Sequence, residues 1–168
     1  TAARDRGAHL NGRPIRVSAC DQLDGARVLA SKPIYDSRHW PEGVPAFARH
    51  YRPSLAYRLA LVAEGRFDAM LTFRHSREWD IAAGELILRE AGAITSDRLG
   101  DPLKFNNPHP QVNGVVAAGP NLHGEIPTAL GGAQTTPEPT QSPAPSPPPL
   151  IPTRHSRQQT KSRSLWAQ

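Results

Sequence analysis

Apolar residues recur along this chain with two periods. Between Trp79 and Gly92 they fall at Ala83, Leu86, Ile87 and Ala91, the spacing that turns one face of a helix toward a core. Gly92 stands where a C-cap glycine stops a helix. Asp80 lies in the first turn, where the helix dipole favours negative charge. Trp79, just before it, predicts a large anchor at the helix entry. A second helix is predicted over 54–64. Leu55, Leu59 and Val62 form its apolar face, with Ala56, Ala60 and Ala63 beside it. Ser54 is placed to cap it and Gly65 to end it.

Shorter runs predict strands at 13–18, 27–31, 67–73, 93–96 and 114–118. In the first of these, Ile15 and Val17 alternate with Arg16 and Ser18, behind the hairpin pair Asn11-Gly12. Residues Lys32 to Tyr51 show no period and are broken by Pro33, Pro41, Gly43 and Pro45. Loop or short helix is expected there, anchored by Trp40 and Phe47. Arg74 to Arg77 and Lys104 to Pro110 read as loops, and Asp97 to Pro102 as a tight turn. A last helix begins at Asn121, and Pro127 is expected to interrupt or restart it. Helices alternating with strands favour an α/β sandwich.

From about Ala133 the composition changes. Eight prolines between Pro137 and Pro152 are separated mainly by Ser, Thr and Gln. Such a stretch cannot bury a core and is expected to be disordered. The expected organisation is therefore a folded part over 1–132 and a Pro/Ser-rich basic tail over 133–168. Pro145-x-x-Pro148 and Pro149-x-x-Pro152 match the loosest form of an SH3-type ligand, which proline-rich tails also produce by chance.

Charge narrows the partners. The net charge is +5, which invites a nucleic-acid reading. From Ala133 onward the chain carries Arg154, Arg157, Lys161 and Arg163 against Glu138, so +3 of that total belongs to the tail. The folded part is near balance, and nucleic acid is not the expected partner. No apolar run approaches the length of a membrane span. The first six residues show no apolar h-region of a secretion signal. Cys20 stands alone, which excludes an internal disulfide and a multi-cysteine zinc site. A cytoplasmic location is the expectation.

The run Trp79-Asp80-x-Ala82-Ala83-Gly84, closed by Glu90-Ala91-Gly92, resembles the second signature of the inositol monophosphatase superfamily of metal-dependent phosphatases. Gly7-Ala8-x-x-Asn11-Gly12-x-Pro14-Ile15-x-Val17-Ser18 and Leu61 to Ala69 are similar to further stretches of that family. The likeness spans roughly Gly7 to His123, the second half of a family domain. It implies the α/β sandwich half of a layered αβαβα fold. It also implies Mg²⁺ as cofactor, a small phosphorylated substrate, a homodimer as one assembly, and Asp80 as the ligand of the metal on the leaving-group side.

Other roles carry over residue by residue. Pro53, Ser54 and Leu55 match the turn at which the family meets its substrate, where Gly-Ser/Thr-Ala is usual. Helix amino termini bind anions through free N–H groups, so Ser54 and Leu55 are candidate substrate contacts. Arg58 matches a Lys of the 3′(2′),5′-bisphosphate nucleotidase branch and is placed to pair with a second phosphate. Its other reading is a solvent-facing helix arginine. Arg74, with His75, is placed to reach a ligand from the following loop. Phe73 stands where inositol-specific members carry a Glu. That argues against inositol and is compatible with stacking on a base or with core packing.

Asp21-Gln22-Leu23-Asp24-Gly25-Ala26 imitates the family's first metal signature, Asp-x-(Ile/Leu)-Asp-Gly-Thr. Ala26 replaces the Thr, and the segment follows the Asn-Gly hairpin instead of preceding it. An Asx-rich turn is the reading of Asp21 and Asp24 set against a metal site. The first half of the family domain, with most of its metal ligands, is expected to be absent. The leading expectation is a fragment resembling the bisphosphate nucleotidases, which remove the 3′-phosphate of adenosine 3′,5′-bisphosphate, and inactive by itself. An inositol- or sugar-phosphate phosphatase is one alternative. A non-catalytic α/β remnant whose tail docks protein or nucleic acid is the other.

Overall fold

The computed structural model describes residues 1–131. The proline-rich segment, and every expectation attached to it, lies outside the described residues. In chain order the elements are β1 (His9–Leu10), β2 (Arg13–Pro14), β3 (Arg27–Leu29), β4 (Ala48–His50), α1 (Leu55–Ala63) and β5 (Ala69–Thr72). There follow β6 (Ser76–Arg77), α2 (Glu78–Glu90), β7 (Ile94–Ser96), β8 (Gln111–Val112), β9 (Val115–Ala118) and α3 (Pro120–Ala129). Two single-turn 3-10 helices, Lys32–Tyr35 and Ser37–His39, lie between β3 and β4.

A five-stranded sheet of order β4-β3-β5-β9-β7 forms the centre. β3 pairs in parallel with both β4 and β5. β9 runs antiparallel to both β5 and β7. Four strands therefore share one direction, and their carboxyl ends lie along one edge. Alternation along the strands divides the core in two. Leu29, Met70, Val115 and Ala117 face one cluster with Leu59, Val62, Ile81 and Leu88 of the first two helices. Val28, Leu71, Val116 and Ala118 face the other, with Trp40, Leu122 and Ile126. The result is a three-layer α/β sandwich, as expected.

Several local expectations change. The strand over 13–18 shortens to Arg13–Pro14: Ile15 N–H still donates across the hairpin to Ala8 at 2.9 Å, but Val17 N–H leaves it and donates to Ala91, at the end of α2, at 3.1 Å. Asn11 and Gly12, at φ 50° and 78°, do close the hairpin. The aperiodic stretch hides the edge strand β4, and the loop over 74–77 contains the two-residue strand β6. Trp40 and Phe47 are the anchors expected, at 1% and 5% exposure. Pro127 does not break α3, which runs through it.

The buried stripe of α2 is also rotated. Ile81, Gly84, Leu88 and Ala91 are buried, whereas Ala83 is exposed and Leu86 only partly covered. Gly84 explains the shift: a Cβ there would sit 2.6 Å from Leu59 Cδ1, so α1 and α2 cross closely at this glycine. Trp79 is 66% exposed and anchors nothing in the core.

Candidate active site

Connectivity sets the place of the site. α1 ends at Gly65, just before β5, and α2 ends at Gly92, just before β7. Both helices thus run back along the sheet. Their amino ends meet the edge where β3, β4, β5 and β7 end. In open α/β sheets, ligands bind outside the carboxyl ends of strands, and helix amino ends add unpaired N–H groups.

Asp80 lies in the first turn of α2 and is exposed. Its carboxylate takes part in no hydrogen bond or ion pair among the described residues. The guanidinium of Arg77, three residues earlier, lies over the Trp79 ring at 5.5 Å. Two positions earlier Glu78 does the opposite. It is buried and accepts from Asn106 N–H at 2.7 Å, Asn107 N–H at 3.1 Å and Asn107 Nδ2 at 2.6 Å. Burial alone would raise its pKa, but the bonds from Asn107 and Asn106 outweigh that and hold it below the ordinary carboxylate value. Glu78 clamps the loop over 104–110 to the helix start. Sequence reasoning missed it; the Asn106-Asn107 pair ahead of two prolines was the available signal.

Ser54 caps α1, its Oγ accepting from Tyr57 N–H at 3.3 Å. Its φ of 63° is costly for a residue with a Cβ. Strain of this kind at the amino end of a helix fits a turn shaped to hold N–H groups toward a ligand. Leu55 packs its side chain against the core cluster, so it offers the site its backbone N–H only. Arg58 is half-buried, with Nε donating to Ser54 carbonyl oxygen at 3.4 Å and its guanidinium over the Tyr51 ring at 5.8 Å. Burial lowers its pKa; Tyr51 opposes that and the charge of Arg74 adds to it. Arg58 is thus partly covered rather than fully solvent-facing. Arg74, exposed in the loop after β5, is near enough for its charge to add to the lowering of the Arg58 pKa.

The remaining candidates separate. His75 is exposed in the turn before β6. Phe73 packs in the core on Trp40, ring centres 6.2 Å apart, and Arg98 covers it at 5.6 Å. It is not an open platform for a base. Asp24 Oδ1 accepts from Ala46 N–H at 2.8 Å beside Gly25 at φ 78°. The segment is a backbone turn, closed by Ala26 N–H donating to Leu23 carbonyl oxygen at 3.1 Å, and Asp24 ties it to the distant Ala46 rather than forming a local Asx turn. Among the described residues no three His, Cys, Asp or Glu side chains gather as a cation site. Mg²⁺ keeps several waters and takes one or two carboxylates. Asp80 fits one edge of such a shell, and the chain's described residues do not complete it.

The sequence profile of the inositol monophosphatase family matches residues 1–134. This chain belongs to the inositol monophosphatase family. It is 38% identical over 112 residues to Nus factor SuhB of Pseudomonas aeruginosa, covering 60% of this chain and 40% of that protein. The solved extragenic suppressor protein suhB of Bartonella henselae superposes with a TM-score of 0.63 at 28% identity, covering 77% of this chain and 52% of the other. A Thermotoga maritima IMPase gives 0.62 at 26% identity, covering 77% and 50%. The chain spans less than half the length of its Pseudomonas family relative. Among the described residues, no helix is long and apolar enough to cross a membrane.

Proposed function

We propose that this chain carries the leaving-group side of a Mg²⁺-dependent phosphomonoesterase site. One observation carries the reading. The unpartnered carboxylate of Asp80 opens α2 at the sheet edge where Ser54 caps α1, with Arg58 on α1 and Arg74 in the loop after β5. When bound, Mg²⁺ neutralises phosphate charge and acidifies a water. Asp80 holds the cation. The N–H groups at the start of α1 orient phosphoryl oxygens. Arg58 and Arg74 offer charge-assisted hydrogen bonds to a second anionic group. Burial of Arg58 strengthens those bonds.

Two cations at this edge, Arg58 and Arg74, favour a nucleotide bisphosphate, such as adenosine 3′,5′-bisphosphate, as substrate. Similarity to an IMPase supports inositol 1-phosphate as the competing substrate. A single carboxylate cannot position both metal and nucleophilic water, so the 168-residue chain is inactive alone. A Mg²⁺-dependent phosphate-release assay on both substrates tests this. We expect no turnover from the chain alone. With an upstream family half supplied, turnover returns, is faster on the bisphosphate, and is abolished by Asp80→Asn. Turnover by the chain alone, or Asp80→Asn without effect, contradicts the proposal.

A further inference from the structure

On the α3 side of the same sheet edge lies a small pocket of ≈ 70 Å³, lined by Arg38, His39, Phe73, Arg98, Leu99 and Leu130. It is separate from Asp80, because Phe73 and Trp40 belong to the core cluster facing α3, and Ile81 of α2 to the other. The lining holds two guanidinium side chains and an imidazole. Arg38 is already paired with Asp36. Arg98 has no carboxylate partner among the described residues.

The backbone under Arg98 is fixed. Its N–H donates to Asn113 at 3.0 Å. Asp97 closes the turn around it, its carboxylate accepting from Leu99 N–H at 2.8 Å and Asp101 N–H at 3.1 Å. The side chain is held as well. Its guanidinium lies 5.6 Å from the centre of the Phe73 ring, and the edge-on His39 ring stands 4.9 Å from that same ring. Stacking on an aromatic face leaves a guanidinium's in-plane N–H donors free. A stacked, carboxylate-free arginine beside an imidazole in a pocket this size suits a small oxyanion.

We propose that Arg98, stacked on Phe73 and flanked by His39, forms an oxyanion subsite that binds a phosphoryl or carboxylate group. The subsite does not rest on the assignment of Asp80. Its ligand is either free inorganic phosphate or an anionic group carried by a larger substrate.

The test is an NMR titration of the full chain, following the Arg Nε–H and His ring signals. The probes are inorganic phosphate, acetate and adenosine 3′,5′-bisphosphate. Inorganic phosphate should shift Arg98 Nε–H and the His39 ring saturably and together. Arg98→Gln should weaken that binding at least tenfold with the fold intact by circular dichroism. Asp80→Asn should leave it unchanged, which separates this subsite from the Asp80 reading. Binding of the bisphosphate at least tenfold tighter than inorganic phosphate, lost equally in Arg98→Gln, identifies a substrate group. Equal binding of the two identifies free phosphate. Non-saturating shifts, or Arg98→Gln binding phosphate as the native chain does, overturn the proposal. If Arg98→Gln fails to fold, Arg98→Lys replaces it. A lysine loses the planar stack but keeps the charge, and unchanged affinity there also overturns it.

Discussion

Two acidic segments of this chain look alike as metal signatures, and the fold treats them differently. Asp21 to Ala26 has the letters of an Asp-x-Leu-Asp-Gly motif, yet Asp24 is taken up by the N–H of Ala46 in a turn. The amino end of α2 shows a single Asp in a helix turn, yet there the fold supplies Glu78 as a structural clamp and leaves Asp80 unpaired. The same chemical group closes a turn, clamps a loop or stands free, according to which N–H groups reach it. Glu78, which accepts three hydrogen bonds over both oxygens, has little capacity left for a cation, whereas Asp24 spends one oxygen on a single N–H. Asp21 and Asp80 both stand without a hydrogen-bond or ion-pair partner among the described residues, and Asp80 is singled out by its place at the start of α2, beside the strand ends.

This contrast can be strained by substitution, beginning with the seat of α2. Gly84→Ala brings a Cβ to within 2.6 Å of Leu59 Cδ1. Overpacking of this kind costs about 1–3 kcal/mol. The urea midpoint should fall further than in Ala83→Ser, on the exposed face, whose helix-propensity cost is only about 0.5 kcal/mol. An unchanged midpoint in Gly84→Ala would show that α2 is not seated as described.

Acid separates the buried groups. His123 is buried with Nε2 2.9 Å from Ser96 Oγ, and burial lowers its pKa from 6.5 to about 4. A histidine kept neutral by folding stabilises fully above its unfolded value. That stability drains as pH falls from 6.5 toward about 4, by roughly 3 kcal/mol. Glu78 acts lower. Its depressed folded pKa gives stability above the ordinary carboxylate range, lost as pH falls through the folded value. Denaturation followed from pH 7 downward should therefore show two losses in sequence. His123→Gln should flatten the first and Glu78→Gln the second. One combined loss that survives both substitutions would contradict this.

The smallest effects bear on the comparison itself. Asp24→Ala removes a turn hydrogen bond and should cost about 0.5–1.5 kcal/mol, without altering cation binding. Asp80→Asn touches no described partner and should stay within about 0.5 kcal/mol of the native chain by the same urea measurement. A larger loss in Asp80→Asn would mean that its carboxylate serves the fold.

Much of this was legible in the residues. Ser54 and Gly92 marked helix ends because capping depends on local chemistry. The strands at β3, β5 and β9 were legible because buried runs of Val, Leu and Ala leave a strong signal. The placement of Asp80 followed from its helix. What failed were features set by distant contacts. β4 exists because β3 pairs with it, not because Ala48-Arg49-His50 has a strand pattern. The buried stripe of α2 follows Gly84 because Leu59 needs the space. Trp79 read as a core anchor because size predicts burial on average, yet it faces outward. Glu78 and Arg98 gained their importance from segments tens of residues away, which no local pattern encodes.

The measurement that bears most directly on the contrast uses Mn²⁺ as a paramagnetic stand-in for Mg²⁺ in NMR spectra of the full chain. The account predicts distance-dependent broadening centred on the amides around Asp80, abolished by Asp80→Asn and unaffected by Asp24→Ala. Broadening centred on Asp21 to Gly25, or persisting around α2 in Asp80→Asn, would contradict it.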